Sequence, residues 1–374
     1  MTFEISLAQL FTVCAVINGL VFSWLILEKK ENKQANRFLA LAIICLCLTF
    51  TPYMLDTSVW HQYRWLAWMP FSFSYWIGPA FYFYLRILTH GQKEVRGKDL
   101  WHFSPIVLNY IHSIYHGLVG PSNPLPYFHH IAEILESASI FSVLIYMLIG
   151  FRLIRRYQSD LLDHVSNLDH IDLSWITNFI KVTCLSFAVV LIYLLVSSGF
   201  VGKEELYRWD TLRSIMLVVY CVFLYWLSIN GYRQIQIISL PEIPESPEKD
   251  KTSGLIQKLE VVLREQHLYR NPQLNLTELA SSMEISEKAL SQVINQELNR
   301  NFYQLINEYR IEEVKERLLD PDHSHLKILS LALDAGFNSK ASFNRVFKSQ
   351  TGLTPQQYRS QNFRQATSFE TSLR

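Results

Sequence analysis

Two sets of side chains in this sequence could do chemistry on something outside the chain. The first lies in AGFNSKASFNRVFKSQTGLTPQQYR, residues 335–359. Over 340–349, Phe343, Val346 and Phe347 recur at i, i+3, i+4. That spacing buries one helix face and turns Lys340, Ala341, Asn344, Arg345 and Lys348 outward. Guanidinium and amide groups on such a face can pair with base edges, and ammonium groups with phosphates. Residues 335–369 hold five basic residues (Lys340, Arg345, Lys348, Arg359, Arg364) and no acid. The plainer reading of Arg345 is a solvated or intradomain charge.

The second set is His112 and His116, on one helix face at i, i+4, with His129, His130, Glu133 and Glu136 beyond a loop containing Pro121, Pro124 and Pro126. Imidazoles beside carboxylates can ligate zinc or copper, or titrate near neutral pH. The plainer reading is amphipathic rings resting at a membrane interface. No P-loop, GxSxG, HExxH or kinase motif is present, so no enzyme and no cofactor is expected.

The elements that must position these groups belong to two solvents. Residues 1–231 carry 31 charged side chains, whereas residues 255–374 carry 29 in 120. All nine Trp fall in the first part. Seven stretches there are long and apolar enough to cross a bilayer, which takes about 20 residues. They are about 5–27, 38–55, 66–88, 100–119, 131–151, 182–201 and 214–231. The second is short and the fourth polar. A soluble all-α protein with buried helices would need more charged surface. The first stretch lacks a basic leader, so it reads as a span and not a cleaved signal.

Lys and Arg stay cytoplasmic in short loops. One set of loops carries twelve: Lys29, Lys30, Lys33, Arg37, Arg86, Lys93, Arg96, Lys98, Arg152, Arg155, Arg156 and Lys181. The alternate set carries four, Arg64, Lys203, Arg208 and Arg213. This places the N-terminus outside and, after seven crossings, the C-terminal region in the cytoplasm. The loop Arg152–Lys181 also holds Asp160, Asp163, Asp169 and Asp172. It reads as an amphipathic cytoplasmic segment that could touch the C-terminal region, a solvated face being the plainer reading. The five cysteines (Cys14, Cys45, Cys47, Cys184, Cys221) sit in apolar runs, as small buried hydrophobes rather than a disulfide or metal set.

Residues 232–254 form a linker in which Pro241, Pro244 and Pro247 favour an extended spacer. Its stretch 241–254 reaches at most about 40 Å at ~3.1 Å per residue. Beyond it, 255–374 contains an internal repeat. Leu276, Leu279 and Ala280 match Ile328, Leu331 and Ala332 at an offset of 52, and Leu290, Val293 and Ile294 match Phe343, Val346 and Phe347 at 53. Each copy, about 276–295 and 328–349, reads as a helix, a turn and a second helix. Ser286 and Ser339 stand at N-cap positions, and Gly336 at the turn. Between the copies, Phe302–Asp320 reads as one amphipathic helix with Leu305, Ile306, Tyr309, Val314 and Leu318 buried, ended by Pro321.

LxxLA at 276–280, ISxxxLSxVI at 285–294, YRIEEVKERLL at 309–319, IxxLAxxxGF at 328–337 and SFxRVFKSQTGLTPQQYR at 342–359 closely resemble the DNA-binding domain of the AraC/XylS family of bacterial regulators. The resemblance covers about 100 of the 374 residues. It implies that Lys340, Ala341, Asn344 and Arg345 face base edges, with Glu287, Lys288, Ser291 and Gln292 as their counterparts in the first copy. Many members have Arg where Gln292 stands and Gly where Glu284 stands, so affinity is expected to lean on the second copy. The expected architecture is all-α, a seven-transmembrane helical bundle followed by a double helix-turn-helix domain. The expected partners are double-stranded promoter DNA, the lipid bilayer, an unidentified inducer at the spans, and a second copy of the chain as a homodimer. The expected location is the bacterial inner membrane. The competing reading is a multispan receptor or transporter whose tail binds a protein instead of DNA.

Overall fold

The computed structural model describes residues 7–51, 73–90, 95–119, 128–169, 171, 173–197, 205–234 and 252–361. Among them the regular structure is helical, and the only strand-like pairing is one antiparallel bridge between Val165 and Asn275. The chain divides into two compact units. The first comprises Met1–Arg155 and Leu173–Ser239, the second Arg156–Asp172 and Leu240–Arg374.

In the first unit the helices are α1 (Leu7–Glu28), α2 (Lys33–Phe50), α3 (Ser74–His90), α4 (Pro105–Val119), the greater part of α5 (Phe128–His164), α6 (Ser174–Ser197) and α7 (Glu205–Arg233). Each of the seven apolar stretches overlaps one of these; residues 5–6, 52–55, 66–72 and 198–201 of those stretches lie outside the described residues. By length and composition, three helices among the described residues could cross a membrane: Gln9–Glu28, Lys33–Phe50 and Ser137–His164. The count of seven is thus an expectation that the described helices carry only in part.

The first unit packs its apolar helices closely side by side. α1 lies against α2 and α7, and α2 against α3. Gly19 sits where a Cβ would come 2.5 Å from Cys47 Sγ and 3.2 Å from Leu224. Small residues at the contact let the backbones close up. The outward faces are also apolar: Leu10, Phe11, Ile17, Leu20, Val21 and Trp24 of α1 are exposed, as are Ile140, Phe141, Ile145 and Leu148 of α5. Ser23, Thr89 and Ser228 turn their hydroxyls back onto carbonyls four residues earlier, at 2.8, 2.9 and 2.7 Å. That satisfies a hydroxyl without water. Lys29 Nζ donates to the carbonyls of Tyr232 and Gln234 at 2.7 and 2.9 Å, closing the ends of α1 and α7.

In the second unit follow α8 (Thr252–Gln266), α9 (Leu276–Ser282), α10 (Glu287–Gln292, continued by a π turn over Val293–Glu297), α11 (Phe302–Leu319), α12 (Ile328–Asp334) and α13 (Lys340–Thr351). Residues 355–361 are helical as well. α8 begins at Thr252, inside the stretch read as linker; residues 235–251 of that linker lie outside the described residues. Here the surface is polar, and Val261, Leu319, Leu329 and Leu333 are the large apolar residues left exposed among those described.

Candidate nucleic-acid interface

Two small cores divide along α11. Leu276, Leu279, Ala280, Leu290 and Ile294 of the first helix pair close on Phe302, Leu305 and Ile306. Leu331, Ala332, Phe343, Val346 and Phe347 of the second pair close on Ile311, Val314 and Leu318. One 18-residue helix, about 27 Å long at 1.5 Å per residue, therefore holds both pairs. Its N-terminus is locked by a reciprocal cap. Asn301 Oδ1 accepts from Gln304 N at 2.8 Å, and Gln304 Oε1 accepts from Asn301 N at 3.0 Å. Asp320 closes it before Pro321.

Both second helices start at a serine cap. Ser286 Oγ accepts from Ala289 N at 3.2 Å, and Ser339 Oγ from Ser342 N at 3.1 Å. The turns differ. Gly336 has φ 100°, and a Cβ there would stand 2.6 Å from the Tyr269 carbonyl oxygen. Glu284, its counterpart at offset 52, takes φ 55° as a non-glycine residue.

The outward faces differ more. On α13, Lys340, Ala341, Asn344, Arg345 and Lys348 are all exposed, over a face made by the buried Phe343, Val346 and Phe347. Among the described residues no carboxylate lies within ion-pair distance of Lys340, Arg345 or Lys348. On α10, Glu287, Lys288, Ser291 and Gln292 are only half-exposed. Gln292 donates to Gln296 Oε1 at 3.2 Å, and Asn295 donates to Ser291 Oγ at 3.3 Å. Arg359, counted in sequence among the basic residues of this region, is engaged within the fold. Its guanidinium donates to the carbonyls of Ser324 and Leu326 and ties residues 355–361 to the turn before α12. Arg364 lies outside the described residues.

The buried stripe of α11 holds more than the apolar pattern indicated. Asn307, Arg310 and Glu313 are buried beside Leu305, Ile306, Val314 and Leu318, while Tyr309 is partly buried. Glu313 pairs with Arg270 at 2.8 Å and with Arg317. That hydrogen bond pushes the Arg270 pKa up. Arg310 is 1% exposed. Its Nε donates to Tyr269 O at 2.7 Å and its Nη2 to Asn271 O at 2.8 Å. The guanidinium also stacks over Phe337, 5.8 Å from the ring centroid. Burial pulls its pKa down to about 10, which leaves it cationic at neutral pH. Its spacing puts it on the buried side of α11, but nothing local shows the acceptors that let a guanidinium stay there.

His112, His116, His129, His130, Glu133 and Glu136 lie outside the residues whose side chains the structure describes. Among the described residues no cluster of three metal-ligating side chains occurs.

Two helix-turn-helix units on a shared rod define a class, the double helix-turn-helix nucleic-acid-binding fold. Residues 279–361 match the family described as "Helix-turn-helix domain". The C-terminal region is an AraC-type domain. Over 92 residues the chain is 39% identical to an uncharacterised helix-turn-helix-type transcriptional regulator of Staphylococcus aureus (strain COL), covering 25% of this chain and 12% of that protein. Over 133 residues it is 26% identical to the regulatory protein PocR of Salmonella typhimurium (strain LT2), covering 34% and 43%. A solved structure of a Listeria innocua protein of unknown function aligns over 28% of this chain and 95% of its own, at 28% identity and a TM-score of 0.25. The chain thus spans about an eighth of the length of the Staphylococcus relative, and the likeness concerns the C-terminal region.

Proposed function

We propose that this chain is a membrane-anchored, one-component transcriptional regulator that binds promoter DNA through its double helix-turn-helix domain. The observation that carries the reading is the outward face of α13. Lys340, Ala341, Asn344, Arg345 and Lys348 stand exposed over a sealed apolar face, with no acid paired to them among the described residues. A helix presented in this way suits a major groove, where Arg345 can take guanine bidentately and Asn344 adenine. α10, with Glu287, Lys288, Ser291 and Gln292, is the second reader, and α11 sets the distance between the two.

The anchoring reading rests on the exposed apolar faces of α1, α4 and α5 and on the Lys and Arg loop asymmetry. In it, seven spans place the N-terminus outside the inner membrane and the DNA-binding domain in the cytoplasm. An inducer acts at the spans, with His112, His116, His129, His130 and Glu133 as candidate ligands for a metal ion. Pairing of two chains on one promoter is part of the same reading.

The test uses the full chain in lipid nanodiscs and duplexes selected from a random pool. A recurring sequence should be enriched. Its binding should weaken steeply with salt, the logarithm of affinity falling by ~0.9 per phosphate contacted for each tenfold rise in salt. Binding without sequence preference at any salt concentration would sink the proposal.

A further inference from the structure

The second unit contains a piece of chain far from it in sequence. α5 ends at His164, whose Nδ1 pairs with Asp160 O at 2.7 Å. The chain then runs on against the start of the first helix-turn-helix. Val165 bridges to Asn275, the N-cap of α9. Ser166 donates twice to the Leu274 carbonyl, through N–H at 3.3 Å and through Oγ at 2.6 Å. Its own carbonyl accepts from Asn307 Nδ2 and Arg310 Nη1, both at 3.2 Å, and its Oγ accepts from Arg310 Nη2 at 3.0 Å. Val165 is 8% exposed and Ser166 2%.

Every hydrogen-bonding group of Ser166 is thus spent inside this unit, and two acceptors of a buried guanidinium belong to it. A cation kept from water is costly unless its donors are met. Leaving the cleft would strip Arg310 of the two acceptors that Ser166 supplies, its carbonyl and its Oγ, at once. The geometry therefore describes a fitted site for residue 166, not a loop resting on a surface.

What precedes Ser166 is acidic. The Asp163 carboxylate faces the side-chain amide of Asn295, which itself bonds Ser291 on the outward side of α10. A carboxylate at that edge repels phosphate. On the same side Lys288, Ser291 and Gln292 are half-exposed, whereas their counterparts Ala341, Asn344 and Arg345 at offset 53 are exposed.

We propose that residues 160–169 are an intramolecular strap. Its docking site is the cleft formed by Leu274, Asn307 and Arg310, and while docked it competes with DNA for the first helix-turn-helix. The strap continues the helix that contains the span at 131–151, so a signal at the spans acts on promoter occupancy by shifting the docked fraction. This deepens the regulator reading and rests on it. Coupling of this kind is typically worth 5–150-fold in affinity, and the two ligands must weaken each other equally.

The experiment uses the full chain in nanodiscs, the duplex enriched by selection, and hydrogen exchange at the Ser166 amide. Ser166→Ala removes the hydroxyl bonds to Leu274 and Arg310. It should raise duplex affinity about tenfold and speed exchange at residue 166. Adding duplex to the unaltered chain should speed that exchange too. Asp160→Asn with Asp163→Asn, which touches no bond of Ser166, should raise affinity several-fold and leave exchange unchanged.

Unchanged or weaker binding by both variants would overturn the strap, as would duplex that protects the Ser166 amide. Should Ser166→Ala open the whole unit, visible as exchange throughout α11, the double Asp variant decides by the same affinity comparison. Loss of specific binding by the unaltered chain is a different failure. It removes the regulator reading, while the exchange difference in Ser166→Ala still reports whether the segment docks.

Discussion

The two helix-turn-helix units share a core pattern and a serine cap but not a surface. The second presents Lys340, Asn344, Arg345 and Lys348 to solvent; the first presents Glu287, Lys288, Ser291 and Gln292 half-covered. The second turns on a glycine at φ 100°, the first on Glu284 at φ 55°. A repeat can therefore keep its fold by repeating the buried positions while its outward positions diverge. Burial constrains side-chain volume to within about one methylene, whereas an exposed position is free to differ.

The largest expected effect breaks the comparison at the turn. Gly336→Ala puts a methyl group 2.6 Å from the Tyr269 carbonyl in a backbone region hostile to a Cβ. It should destabilise the second helix pair by ~3 kcal/mol or more, read as faster exchange of α12 and α13 amides in the full chain. Exchange within a factor of two of the unaltered protein would contradict the packing described.

The next effect sharpens the comparison on DNA. Arg345→Ala should cost ~1–3 kcal/mol of specific binding, and Gln292→Ala clearly less. Equal losses in a footprinting titration would reject the asymmetry. The smallest effect runs opposite to the first. Glu284→Gly relieves a left-handed non-glycine residue and should stabilise the first pair by ~1 kcal/mol. Slower exchange of α9 and α10 amides is the expected reading, and acceleration would show that the Glu284 side chain contributes a contact of its own.

Much of the second unit is legible in its residues because apolar periodicity, caps and breakers are local signals. Leu276, Leu279 and Ala280, the serines at 286 and 339, and Pro321 each mark a boundary or a buried face without reference to anything distant. Arg310 is the opposite case. Its period puts it on the buried side of α11, yet a charged residue there reads as solvated unless its acceptors are known, and these come from residues 166, 269 and 271. The strap is legible only as a loop that could touch the C-terminal region, and its docked residues are not. Four aspartates between 160 and 172 look like a solvated loop, and only the fold shows Val165 and Ser166 buried among them. In the first unit, composition marks apolar helices well. Apolar length and composition mark three helices among the described residues as able to cross a membrane, and they do not by themselves fix how many crossings the chain makes.

The Ser166–Arg310 contact also sets a timetable for synthesis. The two residues are 144 apart in the chain, so at ~5–20 residues per second Ser166 leaves the ribosome roughly 7–30 s before its partner exists. In that interval α6, α7 and the linker are made, and the first helix-turn-helix completes its core with α11 only at the end. The Ser166–Arg310 contact is therefore far less local than the helix pairs beside it, and it forms only after the whole stretch between them has been made. A newborn chain thus spends seconds with Ser166 unclaimed and the DNA-binding unit unfinished.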